Sequence, residues 1–194
     1  MIIILDNGHG VDTQGKRSPV WSDRTQLFEW AFTRDIVFRI SKSLNKLSIK
    51  NSILVPESKD VSLAVRARRA NNIYLADDKS VLISIHGNAG EQPNQGEGWE
   101  VWTSPGQTES DRLASLLFES AVNTLKGFKM RSDYADGDPD KESKFYILTK
   151  TACPAVLTEN LFYDNEYDCK FMMSDEGRRM IANLHIDAIT KYLK

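Results

Sequence analysis

The chain opens with an apolar run that stops at a histidine flanked by glycines, and a second run of similar design lies in its middle. Residues 2–5 are Ile-Ile-Ile-Leu, and His9 follows after three turn-forming residues. Residues 81–85 are Val-Leu-Ile-Ser-Ile and lead directly into His86. Short, mostly β-branched runs are typical of strands buried on both faces, as in parallel sheets. The sequence therefore predicts an α/β fold with both histidines at the carboxyl ends of strands, where such sheets form ligand crevices.

The rest of the chain alternates helical and strand-like segments without a repeat or a break in composition, which predicts a single domain over residues 1–194. We expect a three-layer α/β fold with a twisted, mostly parallel sheet of about six strands flanked by helices. Helical spacing of apolar residues predicts helices over residues 24–47, 62–76, 110–125 and 165–194. Short apolar segments predict further strands over residues 52–55, 99–103, 145–148 and 155–158.

Composition and charge exclude several classes of protein. Charged residues make up 27% and hydrophobic residues 41% of the chain, as in ordinary globular proteins rather than disordered or membrane proteins. A net charge of −2 argues against nucleic-acid binding through an overall positive field. No apolar run is long enough to span a membrane, and the N-terminus lacks the features of a signal peptide. The two cysteines, Cys153 and Cys169, form no metal motif and are expected to be buried free thiols.

The acidic stretch over residues 127–143 contains five carboxylates. Their spacing resembles that of a calcium-binding loop, but the glycine and the final glutamate of such a loop are missing from the required positions. We therefore interpret this stretch as a solvated loop.

The two strand-end histidines indicate metal chemistry. Together with a carboxylate, His9 and His86 would form the three-ligand zinc site of a hydrolase, which leaves one position open for water. A second carboxylate is then needed to carry a proton from the water to the leaving nitrogen. Glu29 lies near the start of the long helix beside its apolar face, and Glu159 ends an apolar strand. Spacing alone does not assign their roles, because Glu29 could lie in solvent and Glu159 could be a helix N-terminal acid.

Five motifs, in order along nearly the whole chain, resemble those of a known family. They are Asp-x-Gly-His-Gly, a helix glutamate, Arg-x-x-x-Ala-Asn, Ser-Ile-His-x-Asn-Ala, and Pro-Ala-Val-Leu-x-Glu followed by asparagine. This chain matches them at residues 6–10, Glu29, residues 66–71, residues 84–89, and residues 154–159 with Asn165. The ordered set is similar to that of the zinc-dependent N-acetylmuramoyl-L-alanine amidases of the type 3 catalytic-domain class, which cut bacterial cell walls.

The resemblance implies a role for each matched residue and an activity for the protein. It implies that Zn²⁺ is held by His9, Glu29 and His86, that Glu159 is the catalytic carboxylate, and that Arg66 and Asn88 support the site. It also implies a phosphorylase/hydrolase-like fold and cleavage of the amide that joins N-acetylmuramic acid to L-alanine in peptidoglycan. Arg66 itself is expected to brace a carboxylate or a loop.

The chain departs from the family pattern after Glu159. It has Asn160-Leu161-Phe162 and Asp164-Asn165 where the family usually has Gly-Phe and Ser-Asn, which affects the expected substrate fit and not the metal. The interval between His86 and Glu159 follows a short pattern of two strands, a helix and loops. We therefore expect no inhibitory helical plug of the kind that some relatives carry.

Other residues and other functions fit simpler interpretations. His185, in the final helix, is expected to be an ordinary hydrogen-bonded side chain. Trp21 is expected to be exposed, and Trp21, Trp99 and Trp102 could stack on sugar, although strand tryptophans more often fill a core. A zinc peptidase that cuts within the stem peptide would use the same metal chemistry, and a wall-binding module would keep the fold without turnover.

The expected biological setting follows from the same features. A bare catalytic domain without a leader resembles a phage or prophage endolysin, cytoplasmic until its release to the cell wall. A secreted autolysin whose leader has been removed is the alternative. We expect a monomer that acts on peptidoglycan, does not bind nucleic acid and does not insert into a membrane.

Overall fold

A six-stranded sheet forms the centre of the computed structural model, which describes residues 1–76 and 79–194. The two apolar runs that lead to histidines form neighbouring parallel strands at the middle of this sheet. In chain order the elements are β1 (Ile2–Asn7), α1 (Glu29–Lys46), β2 (Asn51–Ile53), α2 (Leu63–Ala76), β3 (Ser80–Asn88), β4 (Trp99–Thr103), α3 (Asp111–Thr124), β5 (Lys141–Glu142), α4 (Tyr146–Thr149), β6 (Ala155–Phe162), α5 (Glu166–Met173) and α6 (Asp175–Tyr192). The predicted three-layer fold with a mostly parallel sheet of about six strands is confirmed.

The strand order opens a crevice between β1 and β3. The order is β2-β1-β3-β6-β4-β5, in which β4 runs antiparallel to β6 and the other pairs are parallel. From β1 the chain passes through α1 to β2 on one side, and then through α2 to β3 on the other side. The two connections therefore cover opposite faces of the sheet, and the loops after β1 and β3 diverge at the carboxyl edge.

Two apolar cores pack on the two faces of the sheet. The larger core joins Phe32 of α1 to Leu117 of α3 and Leu184 of α6, and all three side chains are fully buried. The smaller core lies under α2 and α4 and includes Ala70 and Ile147. Full burial of a large apolar side chain contributes about 1.5–3 kcal/mol, so the two cores fix the sheet edge that carries the histidines.

The prediction of a strand over residues 145–148 is wrong, because this segment turns into the short helix α4. The backbone N–H groups of Leu148 and Thr149 both donate to the carbonyl of Phe145. Ile147 and Leu148 are buried, whereas Phe145 and Tyr146 are exposed. A run of four apolar residues fits a short strand or a helical turn equally well, and here the run covers the smaller core from one side only.

The long helices are shorter than the sequence predicted, and local hydrogen bonds explain where they begin. Residues 24–28 are not helical: Arg24 has a left-handed backbone, with φ of 65°, and Phe28 forms a β-bridge with Arg17. Helix α1 therefore begins at Glu29. The predicted helix over residues 165–194 is broken at Ser174, whose side chain accepts a hydrogen bond from Gly177 and caps α6.

The last central strand is longer than predicted, and a short strand interrupts the acidic stretch. Strand β6 continues past residue 158 to Phe162, and β5 pairs with β4 inside residues 127–143. Cys153 and Cys169 are buried free thiols, as predicted. None of the helices in the described ranges is long and apolar enough to cross a membrane.

Candidate metal centre

His9, Glu29 and His86 converge at the carboxyl edge of β1 and β3. Nδ1 of His86 lies 3.1 Å from Oε1 of Glu29, and Nε2 of His9 lies 3.4 Å from Oε2 of Glu29. One ligand atom from each residue lies within 4.8 Å of the other two. Within the described ranges, this is the one cluster of three or more His, Cys, Asp or Glu side chains with that spacing. The cluster could therefore hold a metal ion.

The carboxylate at the centre of this cluster is buried and incompletely satisfied. Glu29 is 1% exposed, and its Oε2 accepts no hydrogen bond, while Oε1 accepts one from the backbone N–H of Gly87. Burial alone raises the pKa of Glu29, but its hydrogen bond to His86 and the charges of both histidines outweigh burial and hold this pKa below its usual value. A buried anionic oxygen without a donor is costly, and a bound cation would relieve that cost.

The two imidazoles differ in their electrostatic surroundings. Burial lowers the pKa of His9 to about 4, with Glu29 acting in the opposite direction, so this ring is neutral near pH 7. Burial also disfavours charge on His86, but the hydrogen bond and the charge of Glu29 prevail and raise its pKa. Metal ligation requires the neutral ring, so a metal ion would displace a proton from the pair formed by His86 and Glu29.

The backbone of His9 is held in an unusual conformation by α1. Its φ is 60°, in the left-handed region that few non-glycine residues adopt. Arg34 donates to the carbonyl oxygen of His9 at 2.8 Å, and the hydroxyl of Thr33 donates to the carbonyl oxygen of Gly8 at 2.9 Å. These bonds tie the turn after β1 to the helix that begins with Glu29, and so fix two of the three side chains relative to each other.

Gly8 leaves the space that the ring of His86 occupies. A Cβ atom at position 8 would lie 2.4 Å from Cε1 and 2.5 Å from Nδ1 of His86. The backbone of Gly8 is not left-handed, so alanine fits it without strain of its own. The glycine is required by the ring beside it and not by the turn.

Replacing Gly8 with alanine is expected to push the His86 ring out of the cluster and to weaken metal binding by about 10- to 100-fold, the usual effect of disturbing the surroundings of a metal ligand. Zinc titration against a competing chelator measures this change. The same clash should lower the free energy of unfolding of Gly8→Ala. In His86→Ala, which lacks the ring, adding Gly8→Ala should not lower the free energy of unfolding further. Unchanged metal affinity in Gly8→Ala would show that the ring can move without consequence.

Glu159 lies beside the cluster on the neighbouring strand. It pairs with His86 across β3 and β6, and with Glu100 across β4 and β6. Its Oε2 is buried and has no hydrogen-bond partner. Burial is the main cause that raises the pKa of Glu159 to about 8; the charges of Glu29 and Glu100 add to this, and His86 opposes it. A carboxylate with these properties is suited to accept and release a proton.

Glu100 is a site residue that the sequence analysis missed. It is 3% exposed and accepts hydrogen bonds from Arg131 at 2.6 Å, Lys141 at 3.1 Å and Asn88 at 2.8 Å. Burial raises the pKa of Glu100, but its hydrogen bonds to Arg131 and Lys141 and their charges outweigh burial and leave this pKa below its usual value. The signal in the sequence was a single charge in the middle of an apolar strand, since a buried carboxylate requires partners.

The two residues expected to support the site occupy different positions. Arg66 is buried and donates to the carboxylate of Asp6 at 2.6 Å and to the carbonyl of Asn7 at 2.7 Å. The hydroxyl of Ser84 donates to the other oxygen of Asp6 at 2.7 Å. Arg66 thus ties the end of β1 to α2 and lines the cavity beside the two histidines. Asn88, at the end of β3, binds Glu100.

The tryptophans and the third histidine lie outside the metal cluster. Trp21 is buried, contrary to prediction, and its indole N–H donates to the thiol of Cys169. Trp99 is fully buried and donates to Asn160, so neither Trp21 nor Trp99 is accessible for stacking on sugar. Trp102 is half-buried and packs on Phe145. His185 is buried, as expected for a core side chain, and bonds to the carbonyl of Ile181 and the hydroxyl of Thr158.

A cavity of about 440 Å³ opens beside the cluster, and both histidines line it. Lys16, from the loop between β1 and α1, forms part of its polar side. Leu63 and Tyr146 belong to an apolar wall built by α2 and α4. Helix α3, the longest helix between His86 and Glu159, packs against α6 in the larger core and does not line this cavity.

The fold and the site together define a class: an α/β protein with two histidines and a glutamate that could hold a metal, and a carboxylate with a buried Oε2, at the switch point of its sheet. Residues 3–191 match the family Amidase_3, described as N-acetylmuramoyl-L-alanine amidase. The chain belongs to this family.

Relatives of similar sequence carry corresponding names. The chain is 27% identical to an endolysin of Bacillus phage SPP1, over 99% of this chain and 66% of that protein. It is 28% identical to the N-acetylmuramoyl-L-alanine amidase CwlM of Bacillus licheniformis, over 97% of this chain and 67% of that protein. The chain thus spans about two thirds of the length of these curated relatives.

Two solved structures share the fold over nearly their whole length. The crystal structure of N-acetylmuramoyl-L-alanine amidase from Clostridium difficile 630 superposes with a TM-score of 0.84 at 25% identity, covering 99% of this chain and 96% of that chain. The catalytic domain of CwlV, an amidase from Bacillus (Paenibacillus) polymyxa, has a TM-score of 0.81 at 20% identity, with 99% and 97% covered. The second likeness concerns the fold alone.

Proposed function

We propose that this chain is a zinc-dependent hydrolase that cleaves the amide between N-acetylmuramic acid and L-alanine in peptidoglycan. The observation that carries the proposal is the convergence of His9, Glu29 and His86 beside Glu159, whose buried Oε2 has no partner. Membership of the amidase family supports the choice of bond. In this assignment the first three residues hold the metal and Glu159 moves the proton.

The donor set supports zinc as the metal. Two imidazole nitrogens and one carboxylate oxygen are the ligands of many catalytic zinc sites. The two histidines approach different oxygens of Glu29, at 3.1 Å from Oε1 and 3.4 Å from Oε2. One ligand atom from each of the three residues lies within 4.8 Å of the other two, so the three side chains are close enough to hold one ion. When bound, zinc would supply Lewis acidity, polarising the scissile carbonyl and making water acidic enough to attack near neutral pH.

Glu159 is the residue of this chain that would carry the proton. Its free Oε2 would accept a proton from the attacking water as the new C–O bond forms at the lactyl carbonyl. It would then return that proton to the nitrogen of L-alanine as the C–N bond breaks, so that the products are a carboxylic acid and an amine. A cation held beside it favours the ionised carboxylate that this role requires, because an opposite charge lowers the pKa of a carboxyl group.

Mass spectrometry of digested peptidoglycan tests the proposed activity. We expect stem peptides with a free N-terminal L-alanine, together with glycan on which the lactyl carboxylate has been freed. New ends inside the stem would instead identify a peptidase, and the absence of products would identify a binding module. Removing the metal with a chelator should abolish the products, and added zinc should restore them.

The proposed activity places the protein's site of action at the bacterial cell wall. A phage endolysin and a bacterial amidase among its relatives support a role in wall degradation. All four residues of the proposed catalytic site come from one chain, so we propose that a monomer suffices for activity.

A further inference from the structure

Lys16 is a cation of the cavity that forms no ion pair with the part of the chain that the structure describes, although its charge acts at longer range on Glu29 and Glu159. It lines the cavity together with His9 and His86 and is half-buried. Its carbonyl oxygen accepts a hydrogen bond from the N–H of Glu29 at 3.0 Å, which anchors this part of the loop at the start of α1. Across residues 1–76 and 79–194, no carboxylate lies within ion-pairing distance of its ammonium group.

The acidic groups of the same cavity already form ion pairs with an arginine of the protein. Asp6 and Asp60 both line the cavity, and both form ion pairs with the guanidinium of Arg66, at 2.6 Å and 3.0 Å. Asp6 also accepts the hydroxyl of Ser84. The charge that the cavity offers to a ligand is therefore the positive charge of Lys16, and a complementary ligand carries a carboxylate.

The opposite wall of the cavity is apolar and partly open. Leu63 is 52% exposed, Phe145 38% and Tyr146 41%, and all three line the cavity with the more buried Ile147 and Leu157. Exposed apolar side chains grouped around a concave site mark a binding surface. The ligand that fits this cavity has an apolar body of a few residues and an anionic group near the metal cluster.

The chemistry of peptidoglycan identifies which part of the substrate meets this description. The single carboxyl group of N-acetylmuramic acid is consumed in the scissile amide, so the glycan side of that bond is uncharged. Carboxylates occur on the stem-peptide side, and the first of them belongs to D-glutamate, which follows L-alanine and is linked onward through its γ-carboxyl group. Two residues of extended chain span roughly 7 Å, which a cavity of about 440 Å³ accommodates.

We propose that this cavity binds the stem peptide and that the ammonium group of Lys16 pairs with the free α-carboxylate of D-glutamate, an inference that rests on the proposed amidase function. The enzyme then distinguishes stems with D-glutamate from stems in which this carboxylate is amidated to D-isoglutamine. The discrimination comes from the loop between β1 and α1, separately from the metal ligands and Glu159.

Two disaccharide tripeptide fragments that differ only at this group test the proposal. We expect kcat/KM to be about tenfold higher for the D-glutamate fragment than for the D-isoglutamine fragment, as is reasonable for one partly exposed charge-assisted contact. Lys16→Met should lower kcat/KM about tenfold on the D-glutamate fragment and leave the other unchanged, so that the preference disappears. Lys16→Arg should retain the preference.

The controls separate this proposal from the activity itself. Lys46→Met removes an exposed lysine at the far end of α1 and should change neither substrate. A wild-type enzyme that releases stem peptides from whole peptidoglycan but cleaves both fragments equally would overturn the role of Lys16 and leave the amidase function standing. Equal losses on both fragments in Lys16→Met would also overturn it, because the lysine would then act on the reaction centre. Absence of any cleavage of whole peptidoglycan would instead overturn the amidase function.

Discussion

Glutamine in place of Glu159 is expected to lower kcat on the order of 10³-fold while leaving one zinc ion bound per chain. Proton transfer by a positioned side chain contributes about 10²- to 10⁴-fold to catalysis, and the amide of glutamine cannot accept and return a proton. The side chain keeps its size, so the packing between β3, β6 and β4 should remain. Hydrolysis of purified peptidoglycan and zinc analysis of the same sample measure the two quantities.

Folding of this variant should be at least as stable as that of the wild type without metal. Without metal, burial raises the pKa of Glu159 to about 8, so folding near neutral pH must take up a proton at this side chain. Glutamine is already neutral and needs no proton, which removes that cost. Glu97→Gln, at an exposed glutamate in the loop before β4, is the matched control and should keep full activity. Activity within tenfold of wild type, or zinc lost in parallel with activity, would contradict the role of Glu159 as proton carrier.

The parts of the site that could be predicted from sequence are those whose signal is local. His9 and His86 each follow directly from an apolar run, so the end of a strand and the histidine are visible in the same few residues. Parallel strands end at the same edge of a sheet, and this general rule brings the two rings together without further information. The same local pattern predicted the central strands β1 and β3 and the class of fold.

Residues whose environment depends on distant strands were harder to assign. Glu29 was expected as a ligand from the resemblance, but its place at the first residue of α1, directly after the bridge between Phe28 and Arg17, was not visible in the sequence. Glu100 meets Arg131 and Lys141 from a segment that the sequence showed only as a polar stretch. Neither arrangement leaves a periodic pattern in the chain, because ion pairs across a sheet depend on its register.

The wrong predictions have a common physical cause: the local sequence does not determine the secondary structure or the tertiary contacts of a short segment. The tetrapeptide over residues 145–148 has enough apolar surface for a strand, yet it covers one side of the smaller core as a helical turn. This turn places Tyr146 and Phe145 on the wall of the cavity. Trp21 lies in a polar loop and was expected to be exposed, yet its ring is buried and its indole N–H donates to the thiol of Cys169 on helix α5. In each case tertiary contacts overrode the local pattern.

Removing the imidazole of His9 is expected to abolish metal binding and activity together. Loss of a group outside the ligand shell commonly weakens metal binding about 10- to 100-fold, so loss of one of three ligands should exceed 100-fold. His9 adopts a left-handed backbone conformation, with φ of 60°, and alanine at this position would add strain of its own. His9→Asn avoids this difficulty, because asparagine tolerates that conformation and lacks the imidazole. Zinc content after dialysis and the rate of peptidoglycan hydrolysis measure the outcome.

Thermal unfolding with and without chelator provides a test that does not depend on activity. A metal that binds the native state stabilises it by mass action, so a chelator should lower the Tm of the wild type. The same chelator should leave the Tm of His9→Asn and His9→Ala unchanged, since they hold no metal to remove. Val11→Ala, an exposed position in the same turn, is the matched control and should retain the chelator-dependent shift. Wild-type zinc content in both His9 variants would remove this residue from the metal centre and leave Glu29 and His86 without their third partner.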